Sequence, residues 1–295
     1  MVPRVAFLFL LLSLPAVAQT TEHFITVGGV QRRYLLHLPP GYEPAKPAPV
    51  IFMLHGGGGT PERTGARDLP RYSDPKGFIV VYPEGLTKGW NDGRDIPGRD
   101  KPDDVAFFSA MIDELVRAQN ADPKRIYVTG MSNGGFMSFR LACDLADKIT
   151  AIAPVAGSMG EGSFDACKPK RAVPVLMING TKDPLVPYGG GAVARTHGRS
   201  YSVSDVMWFW RKVDHCQDAE TTMKLDDRDP NDGSTVTKIW CTSNAYSNVE
   251  VVNYIVDGGG HTWPGGPQYM PRFLVGNVNR DFSASEAIVE FFARH

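Results

Sequence analysis

The sequence predicts an α/β chain in which a mostly parallel central sheet is covered by helices on both faces, within a single domain. Three observations predict it. Short β-branched apolar runs alternate with segments whose apolar residues recur at helical spacing. No Gly/Ser or Pro-rich linker and no internal repeat divides the 295 residues. One apolar run ends in a glycine-rich turn that passes directly into helix-compatible sequence.

At the N-terminus, Met1-Val2-Pro3-Arg4 carries one positive charge, Val5 to Leu12 is unbroken apolar sequence, and Ala16-Val17-Ala18 precedes Gln19. This is the pattern of a secretory signal peptide over residues 1–18, leaving 19–295 as the folded domain. The apolar run is shorter than the ~20 residues a membrane-spanning helix needs, and no later segment approaches that length. The mature chain is therefore expected in a periplasm or outside the cell, with no membrane partner. The full sequence has 31 basic and 32 acidic side chains, and removal of Arg4 with the signal peptide leaves 30 against 32, so the charges nearly cancel and no basic stripe suggests nucleic acid.

In chain order, 32–38, 49–54 and 78–82 read as early strands. Asp103 is a plausible N-cap for a helix opening at Asp104, whose apolar residues recur at helical spacing. Strand 125–129 follows, then a helix after Ser132, strands 150–154 and 173–178, and a helix over Val203–Val213. Residues 220–241 read as a hairpin around an acidic turn, Asp226 to Gly233, before strand 249–256 and a closing helix from Ser283 to Ala293. The acidic turn fails as an EF-hand loop, because counting from Asp227 puts Asp232 where glycine is needed and Lys238 where glutamate is needed. Gly56 to Gly59 lacks the Gly-Lys-Ser/Thr ending of a phosphate-binding loop. No Cys-x-x-Cys spacing points to a metal.

The four cysteines, Cys143, Cys167, Cys216 and Cys241, are expected to oxidise in an exported chain. Three pairings are possible. Cys143 with Cys167 and Cys216 with Cys241 are favoured because each pair closes a local loop.

The chemistry concentrates at Gly130-Met131-Ser132-Asn133-Gly134-Gly135, a Gly-x-Ser-x-Gly turn between strand and helix. Such a nucleophile elbow leaves the serine hydroxyl exposed at the head of a helix, whose free N–H groups favour a developing anion. A serine nucleophile needs a base, a carboxylate to orient the base, and donors for the oxyanion. In this fold class the partners follow in the order Ser, Asp or Glu, His, at strand ends. Asp183 follows the apolar strand that ends at Asn179, and His261 follows the strand that ends near Val256. His197 and His215 also follow Ser132 but lie at no strand end, and Asp257 is an alternative acid on the same loop as His261. The amide of Asn133, next to the serine, is one oxyanion donor. The glycine loop after His55 supplies the other, Gly57 first and Gly58 second. His55 is expected to brace that loop.

From about residue 24 onward the chain resembles the extracellular α/β-hydrolase esterases that group polyhydroxybutyrate-depolymerase-like proteins with feruloyl and acetylxylan esterases. The resemblance rests on Leu54-His55-Gly56-Gly57-Gly58-Gly59, Gly89-Trp90-Asn91-Asp92, Asp103-Asp104-Val105, the elbow, Gly180-Thr181-Lys182-Asp183-Pro184-Leu185-Val186-Pro187-Tyr188 and Gly260-His261-Thr262-Trp263-Pro264-Gly265-Gly266. It implies an α/β-hydrolase catalytic domain over 19–295. Ser132 would be the nucleophile, His261 the base and then acid, and Asp183 the orienting partner. It implies no metal or organic cofactor and agrees with two local disulfides.

The implied substrate is a small-molecule or oligosaccharide ester, with feruloyl or related plant cell-wall esters ahead of short hydroxyalkanoate esters. The chain ends soon after its last helix, which makes insoluble polymer the lesser expectation. Trp90 and Trp263 are candidates to present aromatic faces to a hydroxycinnamoyl ring or sugar, with core filling as their competing role. The glycine-bearing stretch from Tyr188 to Tyr201 is expected to border the pocket. A catalytically silent carbohydrate-binding relative is the rival reading from another class. The joint presence of Ser132, Asp183, His261 and the glycine loop argues against it.

Overall fold

The computed structural model describes residues 18–64, 66, 68–94, 96, 101–195, 197–216 and 220–295. The expected signal peptide over 1–18 lies, but for Ala18, outside the described residues. The strands are β1 (Gln19–Val27), β2 (Val30–Leu38), β3 (Ala48–Leu54), β4 (Ile79–Pro83), β5 (Ala121–Met131), β6 (Ala151–Val155), β7 (Val175–Gly180), the short pair β8 (Gly191–Ala192) and β9 (Arg199–Ser200), then β10 (Thr221–Lys224), β11 (Thr235–Thr242) and β12 (Glu250–Asp257). The helices are α1 (Leu69–Ser73), α2 (Asp104–Ala118), α3 (Asn133–Asp144), α4 (Glu161–Ala166), α5 (Val203–Val213), α6 (Arg272–Val275) and α7 (Ala284–Ala293).

A ten-stranded sheet runs in the order β1-β2-β4-β3-β5-β6-β7-β12-β11-β10. From β4 to β12 all neighbours are parallel. The edges are antiparallel, with β1 and β2 on one side and β11 and β10 on the other. Each central strand buries both faces, so its side chains alternate between two cores. Val50, Phe52 and Leu54 of β3 pack under α2, α3 and α5 against Phe107, Phe139 and Trp210. The intervening Ile51 and Met53 face α1 and α7, where Leu69, Ile288 and Phe292 pack.

The caps follow from short polar side chains at helix starts. Asp103 accepts the Ala106 N–H at 2.9 Å, Ser202 that of Asp205 at 3.0 Å and Ser283 that of Glu286 at 3.2 Å. The cysteines pair locally, Cys143 with Cys167 and Cys216 with Cys241, at Cα separations of 5.1 and 5.7 Å. The 220–241 hairpin extends the sheet as β10 and β11, and its acidic turn is tied down by hydrogen bonds. Asp281 accepts the Arg228 N–H at 2.8 Å, and Asp232 accepts those of Ser234 and Arg280, both at 2.7 Å. Among the described residues no cluster of His, Cys, Asp or Glu could hold a metal ion, and no helix is long and apolar enough to cross a membrane.

Candidate active site

β5 ends at Met131 and α3 begins at Asn133, so Ser132 alone makes the turn between them. Its backbone lies at φ 57°, ψ −121°, strained for a residue with a side chain. The Ser132 N–H donates to Val155 O at 3.0 Å, which pins the apex to β6. Two glycines allow the close approach this requires. A Cβ on Gly130 would sit 2.7 Å from Leu54 Cβ, and one on Gly134 would sit 2.5 Å from Leu54 O.

His261 follows β12 after three glycines, and its Nδ1 lies 2.7 Å from Asp183 Oδ2. A carboxylate only accepts, so Nδ1 carries the proton and Nε2 is the basic nitrogen. Asp183 is fixed from its other side as well, because Oδ1 accepts the N–H groups of Leu185 and Val186, each at 2.8 Å. Asp257, the alternative acid, is exposed and accepts instead from the Thr181 hydroxyl at 2.8 Å.

Ser132 and His261 line one cavity of about 690 Å³ together with Gly56 to Gly59, and Met131, Leu185, Trp263, Tyr269 and Met270 add apolar and aromatic wall. Among the described residues Ser132 and His261 make no direct hydrogen bond to each other. Contacts of this kind often tighten only once substrate is in place.

Two amides of the glycine loop are already engaged. Gly58 N–H donates to Lys88 O at 2.7 Å and Gly59 N–H to Gly56 O at 3.0 Å. Gly57 is exposed beside the elbow, and a Cβ built on it would stand 3.8 Å from Asn133 Cβ. The Asn133 N–H is one of the unpaired donors at the start of α3. His55 braces the loop, with Nδ1 donating to Gly56 O at 2.8 Å while Nε2 accepts the Gly85 N–H at 3.0 Å. Burial lowers its pKa, in keeping with a neutral ring that donates on one side and accepts on the other.

Two expectations need correction. Trp90 presents no face to the cavity. It is 1% exposed, its indole N–H donates to His55 O at 2.8 Å, and its ring packs on His55 and Phe108. The Gly89–Asp92 motif is thus a brace beneath the glycine loop, tied by Asp104, which accepts the Asn91 N–H and pairs with Arg32, both at 2.7 Å. Among the described residues, the Tyr188–Tyr201 stretch likewise supplies none of the lining. Its Val193 packs on Phe136 behind the elbow, because that is where α3 leaves an apolar side chain to cover.

Trp263 is among the lining residues of the cavity but is itself only 2% exposed, packed in the core beside α7 with its indole N–H donating to Ser285 Oγ at 3.1 Å. Sequence reasoning missed Tyr269, whose hydroxyl donates to His261 O at 3.0 Å. Burial, and then the charge of Asp183, push that phenol up to about 12. An aromatic in an irregular loop carries no periodic signal that could have found it.

Comparison with known proteins places the chain in a family. The model of the dienelactone hydrolase family matches residues 41–215. NocK of Nocardia uniformis subsp. tsuyamanensis, an esterase by name, is 33% identical over 292 residues, covering 94% of this chain and 83% of NocK. Feruloyl esterase B of Piromyces equi is 29% identical over 241 residues, but the chain spans only 42% of that protein's length. Among solved structures, an acetyl xylan esterase from Aspergillus awamori superposes with a TM-score of 0.60 over 93% of this chain and 100% of that one. At 12% identity it is similar in fold alone. The chain belongs to the dienelactone hydrolase family of α/β-hydrolases and is a carboxylic ester hydrolase.

Proposed function

We propose that this esterase is exported and works through an acyl-enzyme on feruloyl or related plant cell-wall esters. The observation that carries the reading is the His261–Asp183 pair, whose histidine lines one cavity with a serine held at a strained turn.

In the proposed cycle Ser132 Oγ attacks the ester carbonyl as His261 Nε2 takes its proton, and Asp183 holds the imidazolium in place. The carbonyl oxygen, now an anion, is received by the Gly57 and Asn133 amides. The C–O bond to the alcohol breaks as His261 returns the proton to the leaving oxygen, which leaves an acyl group on Ser132. Water then attacks the acyl carbonyl with His261 again as base, and the acid departs with Ser132 restored.

The preference for an aromatic acyl group is supported by the Trp263 and Tyr269 walls and by the names of relatives such as feruloyl esterase B. Export is supported by the N-terminal pattern and the two disulfides.

The test is hydrolysis of methyl ferulate, a short-chain aryl acetate and a hydroxybutyrate oligomer by the mature protein and its Ser132→Ala variant. Ferulate is expected to be the preferred substrate, with turnover abolished in the variant. Preference for the oligomer would move the substrate class to hydroxyalkanoate esters. Turnover that survives Ser132→Ala would overturn the nucleophile.

A further inference from the structure

Behind the elbow lies a buried ion pair to which the proposed cycle gives no role. Asp92 is 2% exposed and Arg94 7%. Arg94 Nη2 donates to Asp92 Oδ2 at 2.6 Å, and Arg94 Nε reaches Oδ1 at 3.1 Å and Oδ2 at 3.0 Å. The same Oδ2 accepts from Asn133 Nδ2 at 2.5 Å. Asn133 is otherwise clamped to the Trp90 backbone, accepting its N–H at 2.7 Å and donating to its carbonyl at 3.1 Å.

The pair reaches toward the acid loop too. The Arg94 guanidinium lies 3.9 Å above the Phe136 ring. Phe136 packs with Val186, whose N–H holds Asp183 Oδ1. One ion pair therefore touches the residue that carries an oxyanion donor and the side chain that backs the carboxylate loop.

A buried ion pair is a poor way to gain stability, since packed apolar residues of the same volume commonly serve as well or better. It does fix orientation. An Asn133 whose side chain has three defined partners cannot rotate its peptide without breaking them. A lone carboxylate in this place would repel the anion that forms at the Asn133 N–H, and Arg94 cancels that charge.

We propose that the buried Asp92–Arg94 pair positions the oxyanion hole: Asp92 fixes the Asn133 side chain so that its backbone N–H stays aimed at the substrate oxygen, and Arg94 neutralises the carboxylate. Both are positioning residues, and the proposal rests on the reading of Ser132 as nucleophile and Asn133 as oxyanion donor.

A double-mutant cycle tests it. Asp92→Ala, Asn133→Ala and the double variant are compared on an aryl acetate for kcat and KM, on a fluorophosphonate for the rate of Ser132 labelling, and by thermal melting. Asp92→Ala is expected to lower kcat and labelling by about 10- to 100-fold with KM nearly unchanged, as loss of transition-state contact requires. Asn133→Ala should fall at least as far, and the double variant should match Asn133→Ala within about two-fold, because Asp92 acts through that side chain.

Independent, multiplying losses overturn the proposal, as does a change confined to KM or wild-type kcat in Asp92→Ala. Should Asp92→Ala fail to fold, the isosteric Asp92→Asn retains an acceptor oxygen for Asn133. It is expected to keep kcat within about five-fold of the parent, and a loss as deep as that of Asn133→Ala overturns the proposal. Failure of the underlying reading shows separately, as turnover or labelling that persists in Ser132→Ala.

Discussion

Asp183 meets His261 with one carboxylate oxygen, 2.7 Å from Nδ1, while the other is held by two consecutive-strand-exit amides, those of Leu185 and Val186. The loop thus dictates which way the carboxylate points, and the carboxylate dictates which histidine nitrogen keeps its proton. Asp183→Asn would preserve the shape but lets an amide N–H₂ face the ring, which favours the tautomer with the proton on Nε2. Under the proposed mechanism kcat should fall by roughly 10⁴-fold with the fold retained. A variant within ten-fold of the parent in a steady-state assay, at unchanged melting temperature, would remove Asp183 from the cycle.

The elbow makes a second, steric prediction. A Cβ at Gly134 would sit 2.5 Å from Leu54 O and 2.8 Å from His55 O, both backbone atoms that move only if α3 withdraws from β3. Gly134→Ala should destabilise the protein by roughly 1–3 kcal/mol, in the range of overpacked cores. Gly57→Ala is the contrast, because its Cβ would meet Asn133 Cβ at an ordinary 3.8 Å. Urea melts should show a loss for Gly134→Ala and little change for Gly57→Ala, and equal losses would mean that backbone crowding is not what the elbow glycine relieves.

Much of this site was legible in the sequence because its parts sit where a regular pattern stops. Ser132, Asp183 and His261 each follow an apolar run whose end can be read, and the parallel order of β5, β7 and β12 carries those ends to one edge. Residues without that punctuation were misread or missed. Trp90 and Trp263 look alike in sequence, one aromatic in each loop, and only tertiary packing makes the first a brace and the second a wall. β1 was not anticipated because it is an edge strand whose side chains are exposed or half-buried, so it lacks a continuous apolar run. Its pairing with β2 is set by Gly28 and Gly29, both at positive φ, in a two-residue turn.

Asp214 predicts a pH dependence of stability. It caps α5 with its carboxyl buried. Oδ1 accepts the Val173 N–H at 2.9 Å, while Oδ2 has no partner. Burial pushes its pKa up to about 8, against the opposing effects of the Val173 bond and the Arg171 charge. The folded protein thus holds a proton that the unfolded chain, with an ordinary carboxyl near ~3.9, has released. Its contribution to stability is full below about pH 4, declines as pH rises toward 8, and is lost above that. Asp214→Asn cannot ionise, so its advantage over the parent should grow between about pH 4 and pH 8 and then level off. Denaturant melts across that range would refute the assignment if both proteins showed the same slope.

The two tryptophans give the last prediction, which separates a brace from a wall. Trp90→Phe removes the indole N–H that donates to His55 O while keeping a ring against His55 and Phe108. Leaving that buried carbonyl short of its donor should cost about 1–3 kcal/mol of stability. Because Trp90 does not reach the cavity, the ratio of KM for methyl ferulate to KM for an aryl acetate should stay where it was. Trp263→Phe keeps an apolar ring at the cavity lining but drops the bond to Ser285 Oγ and leaves space in a closely packed side of the wall. That variant should shift the KM ratio several-fold, since repacking of the lining changes the space open to a large aromatic acyl group more than that open to an acetyl group. Should Trp90→Phe move the ratio and Trp263→Phe leave it alone, the acyl group would have to lie on the glycine-loop side of Ser132, not against Trp263 and Tyr269.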